Sequence, residues 1–324
     1  MKKLVCILTL TSIWFLTWPM SSQAQKVYRI GALVSDDQFV PAFEGFKKKM
    51  AEIGYIEGKN VRYDFYNAKG DRETVRHLAK KVVEGKPDII VTSSTTATTP
   101  VAKLTEGGNL PVVFLTSANP LALVKSYASS GNNLTGVSSS SLDTIEKQME
   151  LLRELLPRAK RIISLAVSVE TNYEEIRRLT QEAAKKFGLT VVEILADGPE
   201  EIKRKLAVLI ERRTADAVFF SLSLSALTVR DEIIRQATQG RIPVIGTGLE
   251  MVQRGALATY NSDYSALGAQ GAILVDKILK GAKPSDLPID QPSKLKLIIN
   301  VKAAKLIGLQ IPKSILIRAD EVVE

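Results

Sequence analysis

The stretch Lys86-Pro87-Asp88-Ile89-Ile90-Val91-Thr92-Ser93-Ser94-Thr95-Thr96-Ala97-Thr98-Thr99-Pro100 constrains the fold more than any other. A short apolar run behind a Pro-Asp turn reads as a strand buried on both faces. The run of small uncharged hydroxyl residues that follows leads into a helix expected over 97–104. A strand ending in hydroxyls at a helix N-terminus forms a pocket floor, where free N–H groups hold a carboxylate without a cation. An ordinary Ser/Thr helix cap produces the same residues. In an open α/β sheet, this end of a strand is where ligands sit.

Short apolar runs and amphipathic helical segments alternate along the rest of the chain, which argues for parallel sheets wound with helices. Strands are expected over 27–34, 61–66 and 111–116, the second with the half-exposed alternation of a sheet edge. The segment 129–141 is rich in Ser, Asn and Gly and reads as a crossing into a second lobe. A second series follows, with strands over 161–167, 190–194, 217–221 and 242–246. The expected fold class is therefore α/β, with two doubly wound parallel-sheet lobes joined by a hinge. A chain of 324 residues has room for two such units.

The first 24 residues read as a secretory signal: Lys2 and Lys3, then an apolar run from Leu4 to Trp18, then Ser22-Gln23-Ala24 as the cleavage signal. The run is shorter than the ~20 residues that span a bilayer, and Pro19 breaks it. The single cysteine, Cys6, lies inside this segment, so no lipid-bearing cysteine follows the cleavage point. A secreted, periplasmic protein that is not a lipoprotein is expected. Losing Lys2 and Lys3 takes Lys+Arg from 44 to 42 against 35 Asp+Glu, so the net charge falls from +9 to +7. The basic residues are spread over helix surfaces, as in Lys47-Lys48-Lys49, and give no nucleic-acid stripe.

Signals for catalysis are weak. The only histidine, His77, falls on the polar side of a helix. Without cysteine beyond the signal, metal sites of the usual N/S type are excluded, and no P-loop, nucleophile elbow or dinucleotide fingerprint is present. No cofactor and no catalytic residue is expected. Polar residues do cluster at the carboxyl ends of strands in both halves. Asp36, Asp37, Ser94, Thr95, Thr96 and Asn119 come from the first, and Ser168, Glu170, Ser221, Ser223 and Thr247 from the second. Facing lobes would gather these in one cleft, a favoured place for a small molecule. Asp37, Glu170 and Asp263 are candidate partners for an ammonium, and Phe39, Tyr173 and Tyr264 for an apolar or aromatic part. Phe39 and Tyr264 also suit ordinary packing, and Asp263 suits a helix cap.

Several ordered stretches give the chain a family resemblance: Gly54-Tyr55-Ile56-Glu57-Gly58-Lys59-Asn60-Val61, Asn67-Ala68-Lys69-Gly70-Asp71, Asn132-Asn133-Leu134-Thr135-Gly136-Val137, Leu151-Leu152-Arg153-Glu154-Leu155-Leu156-Pro157 and Gly255-Ala256-Leu257-Ala258-Thr259-Tyr260. With them the chain resembles the substrate-binding proteins of ABC transporters, in the tryptophan/tyrosine-type branch. The resemblance implies a type I periplasmic-binding fold with three crossings. Lobe one would hold 25–137 plus 255–283, and lobe two 138–254 plus 284–324. It also implies capture of a small polar ligand such as an amino acid, aromatic ones included, and delivery by a monomer to an inner-membrane ABC permease. Two departures bear on the ligand. Asn119-Pro120 stands where many relatives have Asp-Pro, and Ser221-Leu222-Ser223 where relatives often carry an acidic residue. The same fold would also serve a ligand-sensing subunit of a membrane receptor. A secreted α/β enzyme would need a paired acid and base in the cleft.

Overall fold

A computed structural model describes residues 26–167, 173–220 and 223–324. The expected signal segment, its cleavage point, Ser168, Glu170 and Ser221 lie outside the described residues. The first sheet contains β1 (Tyr28–Val34), β2 (Val61–Asn67), β3 (Ile89–Ser93), β4 (Val112–Ser117) and β5 (Leu134–Ser138), in the order β2-β1-β3-β4-β5. All its pairings are parallel. β2 takes the edge, as its half-exposed alternation requires. The apolar strands β3 and β4 are buried along their whole length.

The second sheet contains β6 (Arg161–Val167), β7 (Thr190–Ala196), β8 (Ala217–Phe219), β9 (Val244–Ile245), β10 (Ala258–Ser262), β11 (Leu295–Asn300) and β12 (Glu321–Val323), in the order β12-β11-β10-β9-β8-β6-β7. It is parallel except where β11 runs against β10. Each sheet has a helical layer on both faces. Helices Arg72–Glu84 and Thr95–Thr105 cover one face of the first sheet, and Val40–Glu52 and Tyr264–Leu279 cover the other. His77 is exposed on the first of these helices.

Three differences from the sequence reading have physical causes. The segment taken as a crossing holds a strand, β5, because Leu134 and Val137 bury their side chains on opposite faces although their neighbours are turn-formers. β10, expected in lobe one, belongs to the second sheet, where it pairs with both β9 and β11. The crossing therefore falls at Asp263, and only the helix after it returns to the first sheet. The stretch before β11 stays longer with the first lobe than expected, since Ile289 N donates to Tyr127 O at 2.7 Å and Asp290 N to Gly136 O at 2.9 Å.

The three crossings run side by side. Ser138 N donates to Asp290 O at 2.8 Å, and Ser140 Oγ to Gln291 Oε1 at 2.9 Å. Asp263 N donates to Lys294 O at 3.2 Å. Helix Tyr264–Leu279 then lies backbone to backbone on helix Val40–Glu52. A Cβ at Gly268 would sit 1.8 Å from Ala42 O, and one at Gly45 would sit 2.1 Å from Ser265 O. No methyl group fits either gap. Gly268→Ala is expected to lower the unfolding free energy in urea by about 3 kcal/mol, the cost of an overpacked core. Lys277→Ala, on the exposed side of the same helix, should change it by less than ~0.5 kcal/mol.

Candidate ligand-binding cleft

The carboxyl ends of β1, β3 and β4 converge on a cradle of hydroxyl groups. Ser94 is the hinge of this arrangement. Its Oγ caps the helix Thr95–Thr105 by accepting from Ala97 N at 3.2 Å, and it lies 2.7 Å from Ser35 Oγ at the end of β1. The Thr95 hydroxyl lies 3.1 Å from Ser117 Oγ and accepts from Ala118 N at 3.2 Å, tying in the end of β4. Ser35, Ser94, Thr95 and Ser117 are all buried, and Thr96 is half-buried beside them. The helix starts two residues before the sequence reading placed it, with Ser94 as its cap.

Ser94 has φ +83° and ψ 151°, a region that costs a residue with a side chain ~1–3 kcal/mol. That conformation turns its N–H to Thr116 O and Oγ1, both at 2.9 Å. The N–H groups of Thr95 and Thr96 are among those that an α-helix cannot satisfy by itself. A helix N-terminus ringed by hydroxyls and capped by a strained residue is an anion-binding arrangement.

The second lobe closes over this region. Asn119 Nδ2, past the end of β4, donates to Glu175 Oε2 at 3.1 Å on helix Tyr173–Lys186. Thr247, past β9, donates its hydroxyl to Gln38 Oε1 at 3.1 Å. Asp36 meets Arg230 of helix Arg230–Gln239 at 3.1 Å. Tyr173, the first residue of its helix, is half-buried. Ser223 is buried and caps the short helix Leu224–Leu227 by accepting from Ala226 N at 3.1 Å.

Other expected site residues have structural partners. Phe39 lies against Tyr264, with ring centroids 5.4 Å apart, and packs on the cores of both lobes. Asp37 pairs with Lys69 at 2.6 Å and accepts from Asn67 at 2.8 Å, and the Lys69 hydrogen bond holds its carboxyl below the usual range. Asp263 caps helix Tyr264–Leu279 through Ser265 N and Ala266 N and pairs with Lys296 at 2.7 Å. Burial opposes its ionisation, but Lys296 and the two N–H groups outweigh burial and hold the carboxyl below its ordinary value. Asp37, Asp263 and Tyr264 line a separate cavity of about 380 Å³ beside the crossings, with Glu250, Thr259 and Lys296. Burial pushes the Tyr264 hydroxyl up to about 12, so it stays neutral beside Ser141 and Asn261.

Sequence reasoning missed Arg230, Glu175, Ser35 and Ser117. The last two end strands, which is the signal that marked Ser94; the first two lie on helices and carry no local signal. Among the described residues no cluster of His, Cys, Asp and Glu is arranged to hold a metal ion, and no helix is long and apolar enough to cross a membrane.

Comparison with known proteins agrees with this geometry. A family model for ABC transporter substrate binding proteins matches residues 28–323. A tyrosine-binding protein from Clostridioides difficile is 28% identical over 291 residues, covering 89% of this chain and 83% of that protein. The solved ABC domain in complex with L-Trp from Streptococcus pneumonia is 29% identical. It superposes with a TM-score of 0.83, covering 92% of this chain and 100% of that one. A ligand-free, open structure of a substrate binding protein with adhesive properties from Clostridium difficile is 26% identical. It covers 92% of this chain and 99% of that one with a TM-score of 0.67.

Two outcomes test the local physics. Ser94→Ala keeps the strained backbone and loses the cap, so it should cost about 1–2 kcal/mol of unfolding free energy. Ser94→Gly relieves the strain and should stay within ~1 kcal/mol of the parent; equal losses in urea melts would contradict the assignment. For Asp263, a folded-state pKa below the unfolded one means its contribution is present above the unfolded value near 4. That contribution is lost as pH falls through the folded value. The stability gap between the parent and Asp263→Asn should therefore be constant at neutral pH and shrink below about pH 4, read by denaturant unfolding at each pH.

Proposed function

The chain belongs to the ABC transporter substrate-binding protein family, and from that premise we propose that it captures a free amino acid, aromatic ones foremost, between its two lobes. Its two parallel-sheet lobes have the type I periplasmic-binding architecture. It acts as the solute-binding component of an ABC importer, with a small molecule and a membrane permease as its partners. Substrate-binding proteins of this family work outside the cytoplasm. In our reading the chain reaches the periplasm by cleavage after Ala24, carries no lipid, binds as a monomer and performs no chemistry on its ligand.

The observation that carries the ligand class is the hydroxyl cradle at Ser94. Its backbone strain is retained at a helix N-terminus, and strain of this kind clusters at binding sites. We assign the ligand's carboxylate to the N–H groups of Thr95 and Thr96 and the hydroxyls of Ser94 and Thr95. The ammonium goes to the rim of the second lobe, at Glu170 and at Glu175 beside Asn119. Asp37 and Asp263, already paired with Lys69 and Lys296, are left out of that role. Tyr173 takes the side chain of the ligand, since Phe39 and Tyr264 are committed to each other. Ser168, Ser221, Ser223 and Thr247 complete the second-lobe wall.

Support for the aromatic class comes from the relatives, one a tyrosine-binding protein and one solved with L-Trp. The better superposition on the L-Trp complex than on the ligand-free open structure, at similar identity, fits a closed arrangement of the lobes. The test is thermal unfolding of protein refolded from denaturant to strip bound ligand, screened against the twenty amino acids. A ligand selective for the folded state raises the midpoint in proportion to the logarithm of its excess. Tryptophan, tyrosine or phenylalanine should give the largest shift, and Thr95→Val should weaken that binding about tenfold by removing one hydrogen-bonding hydroxyl. No shift from any amino acid would overturn the ligand class. An unchanged affinity in Thr95→Val would overturn the placement.

A further inference from the structure

We propose that Arg230 is a positioning residue for capture: its buried ion pair with Asp36 latches the two lobes together without touching the ligand. The inference rests on the two-lobe capture reading above. Asp36 follows β1 in the first lobe, and Arg230 opens helix Arg230–Gln239 in the second. They are 2% and 7% exposed, so this is a buried pair and not a surface contact. Arg230 Nη1 lies 3.1 Å from each Asp36 carboxylate oxygen and donates to Leu227 O at 2.7 Å. Its Nε lies 3.0 Å from Glu250 Oε1. Leu227 and Glu250 both belong to the second lobe and hold the guanidinium in place, while Asp36 binds it from across the interface and the neighbouring Asp37, paired with Lys69, feels its charge.

The first-lobe backbone meets a second-lobe side chain beside the pair. Gly70, at φ +86°, sits where a Cβ would lie 2.6 Å from Thr228 Cγ2 and 3.2 Å from Asp36 Oδ2. Thr228 is two residues from Arg230, so a glycine from the first lobe makes room for the segment that carries the guanidinium. The pair is also turned away from the hydroxyl cradle. Asp36 is in an extended conformation, φ −157° and ψ 162°, so its side chain points opposite to that of Ser35, which contacts Ser94. Asp36 thus contributes to lobe closure, while its neighbour belongs to the binding surface.

An interlobe ion pair exists only when the lobes meet. On opening, the two charges part and hydrate separately, so the contact contributes to closure whichever ligand is present and also when none is. Breaking such a buried pair acts on the dissociation rate more than on the association rate. Because its geometry is a two-oxygen contact from one guanidinium nitrogen, with the same guanidinium anchored on its own lobe, a lysine would replace only the charge.

The test places one cysteine on each lobe, at Lys80→Cys and Glu211→Cys, both exposed positions. The protein is expressed from Gln25 onward, which leaves out Cys6, so no native cysteine competes. Spin labels at the two sites report the interlobe distance in the ligand-free protein. Arg230→Met and Asp36→Asn should each move the distribution toward longer distances, and the double variant should move it no further than either single one. Arg230→Lys should restore part of the closed fraction, which a general loss of packing would not allow. Asn at position 36 retains an oxygen for the Gln38 N–H that Asp36 caps at 3.0 Å, so that variant separates charge from folding. With L-tryptophan and L-tyrosine as probes, dissociation should quicken about tenfold or more at nearly constant association rate. Identical distance distributions in the parent and all variants would overturn the latch. Failure of both probes to bind the parent would count against the aromatic ligand class alone, because the ligand-free distances still decide the latch.

Discussion

Everything in this molecule depends on how the chain returns to its first sheet. After β10 has joined the second sheet, Asp263 turns the backbone and helix Tyr264–Leu279 seats itself on helix Val40–Glu52. Gly45 and Gly268 let the two helices touch backbone to backbone, so the returning helix becomes part of the first lobe's core. One lobe is thereby built from two distant parts of the chain. The second lobe is suspended between them on three adjacent crossings. A pair of lobes joined in this way can move about the crossings, with Phe39, which packs on both cores, as a side chain that must shift.

The cleft follows from that geometry. Parallel strands present their carboxyl ends to one edge, and the hinge brings two such edges face to face. On the first lobe, hydroxyl side chains and a helix N-terminus supply hydrogen-bond donors without a fixed cation. In the proposed assignment, Tyr173 and Glu175 of the second lobe supply an aromatic face and a carboxylate. A ligand with a carboxylate, an ammonium and an apolar side chain matches this division of chemistry. The Asp36–Arg230 pair adds a closing contact that does not depend on the ligand's identity.

Much of the fold was legible because buried parallel strands write themselves as apolar runs. β3 and β4 are such runs, and the edge position of β2 followed from the alternation of Val61, Tyr63 and Phe65 with polar neighbours. β5 escaped because Leu134 and Val137 are the only large apolar residues in Leu134–Ser138. The allegiance of β10 escaped as well, since a strand's sequence does not record which sheet it will join. For the site, the hydroxyl run at Ser94–Thr96 was visible locally, and so was the alternative that Asp263 is a helix cap, which the structure favours. Arg230 and Glu175 were not visible. They sit among many charged helical residues, and only folding brings Arg230 to a partner 194 positions away.

The central claim is that the first turn of helix Thr95–Thr105 holds the anionic end of the ligand. A crystal structure of the protein with its bound amino acid tests it most directly. The account predicts a carboxylate oxygen within about 3 Å of the Thr95 or Thr96 N–H groups, with Ser94 still at positive φ and the Asp36–Arg230 contact intact. A ligand whose carboxylate meets an arginine or lysine elsewhere, with that helix turn facing only water, would contradict it.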